Sequence, residues 1–246
     1  MPDYDFSSTR LFVDAALAEG AEVTLEDNAA NYVRNVLRMS TGDGLLLFNG
    51  REGEWGARVA EVAKKRVLLT AEQRTREQTP APSLRLMFAP LKHARLDYMV
   101  QKAVEMGVSR LSPTITRRTQ VARVNLDRMR ANAIEAAEQC GVLTIPSIDE
   151  PASLEASLEA LHEEAALIFC DEAADAADGA AALAPLRGRP LALLIGPEGG
   201  FDPQERATLL RRPGIVRFGL GPRILRADTA AVAALALVQV AAGDWR

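Results

Sequence analysis

The segment Ile195-Gly196-Pro197-Glu198-Gly199-Gly200-Phe201-Asp202-Pro203-Gln204-Glu205 combines residue types that could hold a ligand. Glycines let the backbone come close to a bound molecule, and Glu198 sets a carboxylate among them. The apolar run Leu191 to Ile195 precedes the loop. Asp202 with Glu205 three residues later reads as a capping box, and Pro203 occupies the favoured first helical position. The glycines therefore lie at the carboxyl end of a buried strand, the edge where open α/β sheets bind ligands. The segment has neither the Gly-Lys-Ser/Thr of a phosphate-cradling loop nor GxGxxG spacing. A nucleotide here is expected to be held by backbone contacts around its base and ribose. Taken alone, the loop also reads as an ordinary tight turn. A second loop follows the next strand, Gly219-Leu220-Gly221-Pro222-Arg223-Ile224-Leu225-Arg226-Ala227-Asp228-Thr229-Ala230. Two glycine-rich loops at neighbouring strand ends suit close backbone approach to one ligand.

The elements that must position these loops are legible in the hydrophobic pattern. Residues 84–89 read as a strand, and Leu96, Met99, Val100, Ala103 and Val104 recur at helical spacing. A strand over 108–115 and a helix over 126–140 follow, the helix carrying Leu126, Met129, Ala133, Ala137 and Cys140 on one stripe. Leu154, Leu158 and Leu161 mark a third helix. The runs 166–170 and 191–195 lack alternation, as strands covered on both faces of a parallel sheet do. A short strand at 215–218 and a helix over 230–242 complete an α/β layer domain at 84–246. That last helix has so little polar surface that it must bury against the core or a partner subunit. Residues 1–72 read instead as a small β-rich unit. Asp27 or Asn28 caps a helix through Met39, Leu45 to Phe48 runs into the turn dipeptide Asn49-Gly50, Trp55, Ala57 and Val59 alternate, and 67–70 is a further strand. Such short strands suggest a compact barrel. Between the two, 73–83 reads as a linker containing Pro80 and Pro82.

Gly196-Pro197-Glu198-Gly199-Gly200-Phe201 and Leu220-Gly221-Pro222-Arg223-Ile224-Leu225-Arg226 resemble the GPEGG and LG-x-RILR signatures of one family. That family is ribosomal RNA small subunit methyltransferase E, within the SPOUT methyltransferases. Lys102-Ala103-Val104-Glu105-Met106-Gly107-Val108, Glu138-Gln139-Cys140-Gly141, Arg10 to Val13 and Val36-Leu37-Arg38 with Gly42-Asp43 extend the likeness over nearly the whole chain. The resemblance implies a PUA-like N-terminal domain and a C-terminal α/β domain tied in a deep trefoil knot, an exception to unknotted topology. It further implies a homodimer with its active site at the subunit interface, S-adenosyl-L-methionine bound in the knot, and N3-methyluridine in 16S rRNA as product. By that resemblance Leu194, Gly196, Pro197, Gly199, Gly200, Leu220, Gly221, Ile224, Leu225 and Thr229 are expected at the cofactor. Two positions depart from the pattern: Val142 stands where an Arg is usual, and Ala227-Asp228 where Thr-Glu is usual.

Methylation at uracil N3 makes specific demands. N3 carries a proton at neutral pH and lies on the pairing edge, so the base must be accessible and N3 must lose its proton as attack develops. A cation near the carbonyl oxygens stabilises the resulting anion, and Arg226 is the first candidate. Glu198, then Asp228, are candidates for the proton or for a place beside the sulfonium. The competing roles are loop capping for Glu198, an N-cap for Asp228 and a salt bridge across the loops for Arg226. Related SPOUT enzymes acting on ribose 2′-O or another base, and a noncatalytic RNA-binding assembly factor, are the alternatives.

The formal net charge of −4 hides an uneven arrangement. Residues 84–130 carry 10 basic and 3 acidic side chains, whereas 132–186 carry 12 acidic ones and no Lys or Arg, so a positive block is available to RNA. Arginine outnumbers lysine 25 to 4, which suits bidentate phosphate contact. A GC-rich genome accounts for that bias equally well. Arg10, Arg34 and Arg38 in the small domain, and Lys92, Arg95, Lys102, Arg117 and Arg118 in the positive block, are the expected RNA contacts. His93, Cys140 and Cys170 read as structural, and no metal site or disulfide framework is expected from such scattered His and Cys. The acidic start, Met1 to Asp5, leads into no signal-peptide core, and the apolar stretch 230–242 is too short to span a bilayer, so a cytoplasmic protein is expected.

Overall fold

The computed structural model describes residues 8–121, 123–174 and 179–245. The acidic start lies outside the described residues. The chain forms two compact units, one of Met1–Pro80 with Ala137–Ile145, the other of Ala81–Ala136 with Pro146–Arg246.

The first unit holds β1 (Arg10–Phe12), β2 (Glu22–Glu26), α1 (Asp27–Asn31, continuing as a wider turn over Tyr32–Val36), β3 (Gly44–Phe48), β4 (Glu54–Val62) and β5 (Arg66–Arg76). Its sheet runs β1-β3-β4-β5-β2, parallel only between β1 and β3. In β2 Val23 and Leu25 face inward between exposed Glu22, Thr24 and Glu26, the alternation expected of a strand with one wet face. Val33, Leu47, Val67, Leu69 and Ala71 are fully buried at its centre. The helix expected through Met39 is shorter, because Arg38 takes a left-handed φ of 55°. The expected linker from residue 73 is also corrected. β5 continues through Gln73-Arg74-Thr75-Arg76, paired with β4 by Trp55 opposite Arg74 and Glu54 opposite Arg76. That polar stretch has no alternation to announce a strand; its ladder and the Glu54 carboxylate hold it.

The second unit holds β6 (Leu84–Phe88), α2 (His93–Glu105), β7 (Arg110–Ile115), α3 (Leu126–Cys140, whose last turn belongs to the first unit), β8 (Ser147–Ile148), β9 (Ala152–Ser153), α4 (Leu154–Glu159), β10 (Ala166–Cys170), α5 (Gly179–Leu183), β11 (Leu191–Ile195), α6 (Pro203–Leu210), β12 (Val216–Phe218) and α7 (Ala227–Ala241). Its sheet is parallel, in the order β12-β10-β11-β6-β7-β8, with β9 beside β7. All five residues of β11 are buried, as its unbroken apolar sequence requires. On one face Leu194, Met87 and Phe169 pack with Leu154, Leu158, Phe201 and Leu209. Parallel strands all present their carboxyl ends at one edge, so the loops after β10, β11 and β12 meet there.

Candidate functional site

A cavity of about 370 Å³ opens at that edge, within the roughly 300–1,000 Å³ of small-molecule sites. Its walls come from three strand ends: Cys170 to Glu172 after β10, Ile195 to Phe201 after β11, and Phe218 with Leu220 to Leu225 after β12. Ala227 and Ala230 of α7 close it. Of the residues expected at the cofactor, Gly196, Pro197, Gly199, Gly200, Leu220, Gly221, Ile224 and Leu225 line this space, as does Glu198. Leu194 and Thr229 do not. Leu194 is fully buried in the core beneath the loop, because strand alternation turns it into the helix-covered face. Thr229 is exposed on the first turn of α7.

The first loop is shaped by close contacts. A Cβ on Gly196 would stand 2.5 Å from the Phe201 ring, which itself meets Phe169 edge-on at 5.2 Å. The expected capping box forms: Asp202 accepts from the Gln204 N–H at 2.9 Å, and Glu205 accepts from the Asp202 N–H at 3.1 Å. Glu205 is only 5% exposed, and it also accepts from the Arg117 N–H at 2.8 Å, so the segment after β7 is tied to the start of α6.

Three of the arginines expected at RNA also bind this loop. Arg117 donates to Asp202 and Gln204 at 3.1 and 2.6 Å, Arg118 donates to the Gly199 carbonyl at 2.8 Å, and Arg95 pairs with Glu198. Arg10 requires a correction. It is 7% exposed, and its guanidinium pairs with buried Glu54 at 2.8 Å beside Arg76, which leaves no surface for phosphate. Burial pushes the Glu54 carboxyl up, but hydrogen bonds from Arg76, Arg10 and Thr75 outweigh it and hold the group below its ordinary range. Arg34 is half-buried and donates to the Lys64 carbonyl at 2.5 Å, and Arg38 is exposed. Lys92 is exposed at the start of α2, whereas Lys102 pairs with Glu105 at 2.6 Å and lies over the Tyr98 ring.

Among the candidate catalytic groups, Arg226 is exposed at the N-cap of α7 and does not itself line the cavity, although its neighbours Leu225 and Ala227 do; the arginine that lines it is Arg223, also exposed. No side-chain hydrogen bond or salt bridge holds Arg226 among the described residues. Asp228 lies inside the first turn, where it accepts from the Thr229 N–H at 2.9 Å; it neither caps the helix nor lines the cavity.

The sequence reading missed the wall after β10. Burial pushes the Asp171 carboxyl up, yet hydrogen bonds from Arg206, the Ala173 N–H and Arg217 win and keep it below the usual range. Arg206 and Arg217 each lie 2.9 Å from it. Burial alone pushes the neighbouring Cys170 thiol up to about 12, so it is a neutral wall group. The rule that found the glycine loops also covered this place, since Asp171-Glu172 directly follows an apolar strand run. Among the described residues no cluster of His, Cys, Asp or Glu could hold a metal, and no helix is long and apolar enough to cross a membrane.

Residues 77–239 match the family model of the RNA methyltransferase domain, and 25–72 match that of the RNA methyltransferase PUA domain. The parallel sheet with its loop cavity and the curled sheet before it thus define an RNA methyltransferase of SPOUT type with a PUA-like domain. Ribosomal RNA small subunit methyltransferase E of Rickettsia conorii is 30% identical over 233 residues, spanning 94% of this chain and 95% of that protein. The enzyme of the same description from Mycobacterium bovis is 31% identical, spanning 95% of this chain and 92% of its own. Among solved structures, ribosomal RNA small subunit methyltransferase E from Neisseria gonorrhoeae, bound to S-adenosyl methionine, superposes with a TM-score of 0.84 at 29% identity. The match covers 97% of this chain and 100% of that one. The chain belongs to the ribosomal RNA small subunit methyltransferase E family.

Proposed function

We propose that this protein transfers a methyl group from S-adenosylmethionine to N3 of a uridine in 16S rRNA. The observation that carries this reading is the cavity between two glycine loops, with an arginine held by no described partner ending the second of them. The cavity suits the cofactor in size and lining. Gly196 and Gly221 allow close backbone approach, and Phe218, Leu220 and Leu225 offer apolar surface to a base. Bound there, the cofactor supplies an electrophilic methyl on a sulfonium. Gly196, Pro197, Gly199, Gly200, Leu220, Gly221, Ile224 and Leu225 hold it, with Leu194 and Thr229 serving from beneath the loop and from α7. Arg226 meets the uracil carbonyl oxygens as negative charge develops, and Glu198 takes the N3 proton once Arg95 yields it. Asp228, one turn into α7, has the lesser claim.

The functional unit in this reading is a homodimer. Leu237 and Val240 of α7 are 43% and 58% exposed, and Trp245 just beyond is 43% exposed, an apolar face that a second subunit would cover. The trefoil knot belongs to the same reading. Arg34, Arg38, Lys92, Arg95, Lys102, Arg117 and Arg118 remain the proposed phosphate contacts, and the cytoplasm is the proposed location.

Incubating the protein with labelled cofactor and unmodified small-subunit particles, then mapping the label, tests the reading. Label at uridine N3 is expected. Label on a ribose O2′ would reassign the enzyme within its superfamily, and cofactor binding without transfer to any rRNA would favour a noncatalytic assembly role. Leu237→Glu with Val240→Glu is expected to halve the mass measured by light scattering. An unchanged mass would place any subunit contact elsewhere.

A further inference from the structure

Three carboxylates line the cavity, and they are not equivalent. Asp171 is paired with Arg206 and Arg217, and Glu198 with Arg95. Glu172 is exposed, and its carboxylate makes no hydrogen bond or salt bridge among the described residues, feeling Arg206 only through space. The residues flanking it are nonetheless fixed. The Asp171 N–H donates to the Phe218 carbonyl at 3.2 Å, the Ala173 N–H to the Asp171 carboxylate at 3.2 Å, and the Ala174 N–H to the Asp171 carbonyl at 3.0 Å. The facing loop makes room for it: a Cβ on Gly200, where φ is +68°, would stand 3.1 Å from Glu172 Oε1.

We propose that Glu172 accepts the ribose hydroxyls of S-adenosylmethionine, an inference that rests on the methyl-transfer reading above. A carboxylate only accepts, and the cofactor offers three donor groups: the adenine amino group, the vicinal ribose hydroxyls and the α-ammonium. Position selects among them. β10 lies between β12 and β11 in the sheet, so Glu172 stands between the second glycine loop on one side and the first on the other. The apolar surface of Phe218, Leu220 and Leu225 suits the base at one end. The reacting end must meet Glu198 beside the other loop. Ribose is the middle of the molecule, and two adjacent hydroxyls match the two oxygens of one carboxylate. Acidic side chains at strand ends hold ribose hydroxyls in the same way in dinucleotide-binding sheets.

Calorimetry with two ligands on the intact protein tests this. S-Adenosylhomocysteine carries base, ribose and amino acid; 5′-methylthioadenosine keeps base and ribose but lacks the amino-acid end. Glu172→Ala is expected to weaken both by roughly tenfold to a hundredfold, and the isosteric Glu172→Gln, which leaves the fold undisturbed, to weaken both by less. A loss confined to S-adenosylhomocysteine overturns the ribose assignment, since the carboxylate would then serve the ammonium end. Unchanged affinity for both ligands overturns any contact by Glu172. If the unaltered protein binds neither ligand, the cofactor reading itself falls, and that result is distinct from the other two.

Discussion

The two glycine loops share composition and sit at neighbouring strand ends, yet the protein holds them in opposite ways. The loop after β11 is fixed from several sides by the Arg118 and Arg95 contacts, by the capping box, and by Arg117 through Glu205 and Asp202. In the loop after β12, Gly221, Pro222, Arg223, Ile224 and Arg226 are exposed, Ile224 at 98%, and no side-chain hydrogen bond secures them among the described residues. One wall of the cavity is therefore built by folding alone. The other presents two cations, Arg223 and Arg226, and its most exposed apolar side chain to whatever binds there. A preorganised wall gives a bound cofactor one fixed edge, and an open wall leaves the side chains on the other free to adjust to what binds beside it.

This contrast can be broken by substitution. Arg226→Ala should show the largest effect, a loss of about a hundredfold to a thousandfold in turnover with cofactor affinity and thermal midpoint nearly unchanged. Equal loss of turnover and affinity would make Arg226 a cofactor residue and erase the difference between the loops. Next comes Asp171→Asn, expected to cost about 2 kcal/mol in urea unfolding at neutral pH, because it unties two arginines from a buried carboxylate. Its pH dependence has a definite sign. Asp171 titrates below its unfolded value, so its contribution is complete above the unfolded pKa of about 3.9 and is lost as pH falls through the lower folded value. The gap between variant and parent should therefore close below about pH 4; a gap that stays constant down to acid would mean that charge plays no part.

Gly196→Ala follows, at about 1–3 kcal/mol, since the added methyl meets a ring already packed on Phe169. Both stability and cofactor affinity should fall. Gly221→Ala, whose φ of +95° strains any side chain but whose Cβ meets nothing within 4 Å, should lower affinity with less effect on stability. Smallest is Arg118→Ala, at below about 1 kcal/mol, because that contact is exposed. A large stability loss there would mean that the first loop depends on one arginine and is not held cooperatively.

Much of the site was legible because it rests on local rules. The apolar run 191–195 had to be a doubly covered strand, Asp202 and Glu205 had to start a helix, and the glycines between them had to lie at a strand end. The wall after β10 was hidden because its importance comes from β10 lying between β11 and β12, and strand order is not written in any one segment. The arginines were harder still. Arg10, Arg95, Arg117 and Arg118 look alike in sequence, and only distant partners separate them: Glu54, Glu198, Asp202 and Gly199.

The sequence by itself determined the apolar core strands of the second unit, the start of the helix after the first glycine loop, the backbone freedom at the two loops and the family likeness, because each depends on neighbours a few residues apart or on runs of fixed spacing. The strands β1, β2, β8, β9 and the end of β5 are too short or too polar to be read in this way. The tertiary structure decided which charges are spent and which are available. A guanidinium is a phosphate ligand or a structural tie according to the carboxylate or carbonyl that the fold brings within about 3 Å of it, and those partners lie 44, 81 and 103 residues away in the pairs Arg10–Glu54, Arg118–Gly199 and Arg95–Glu198.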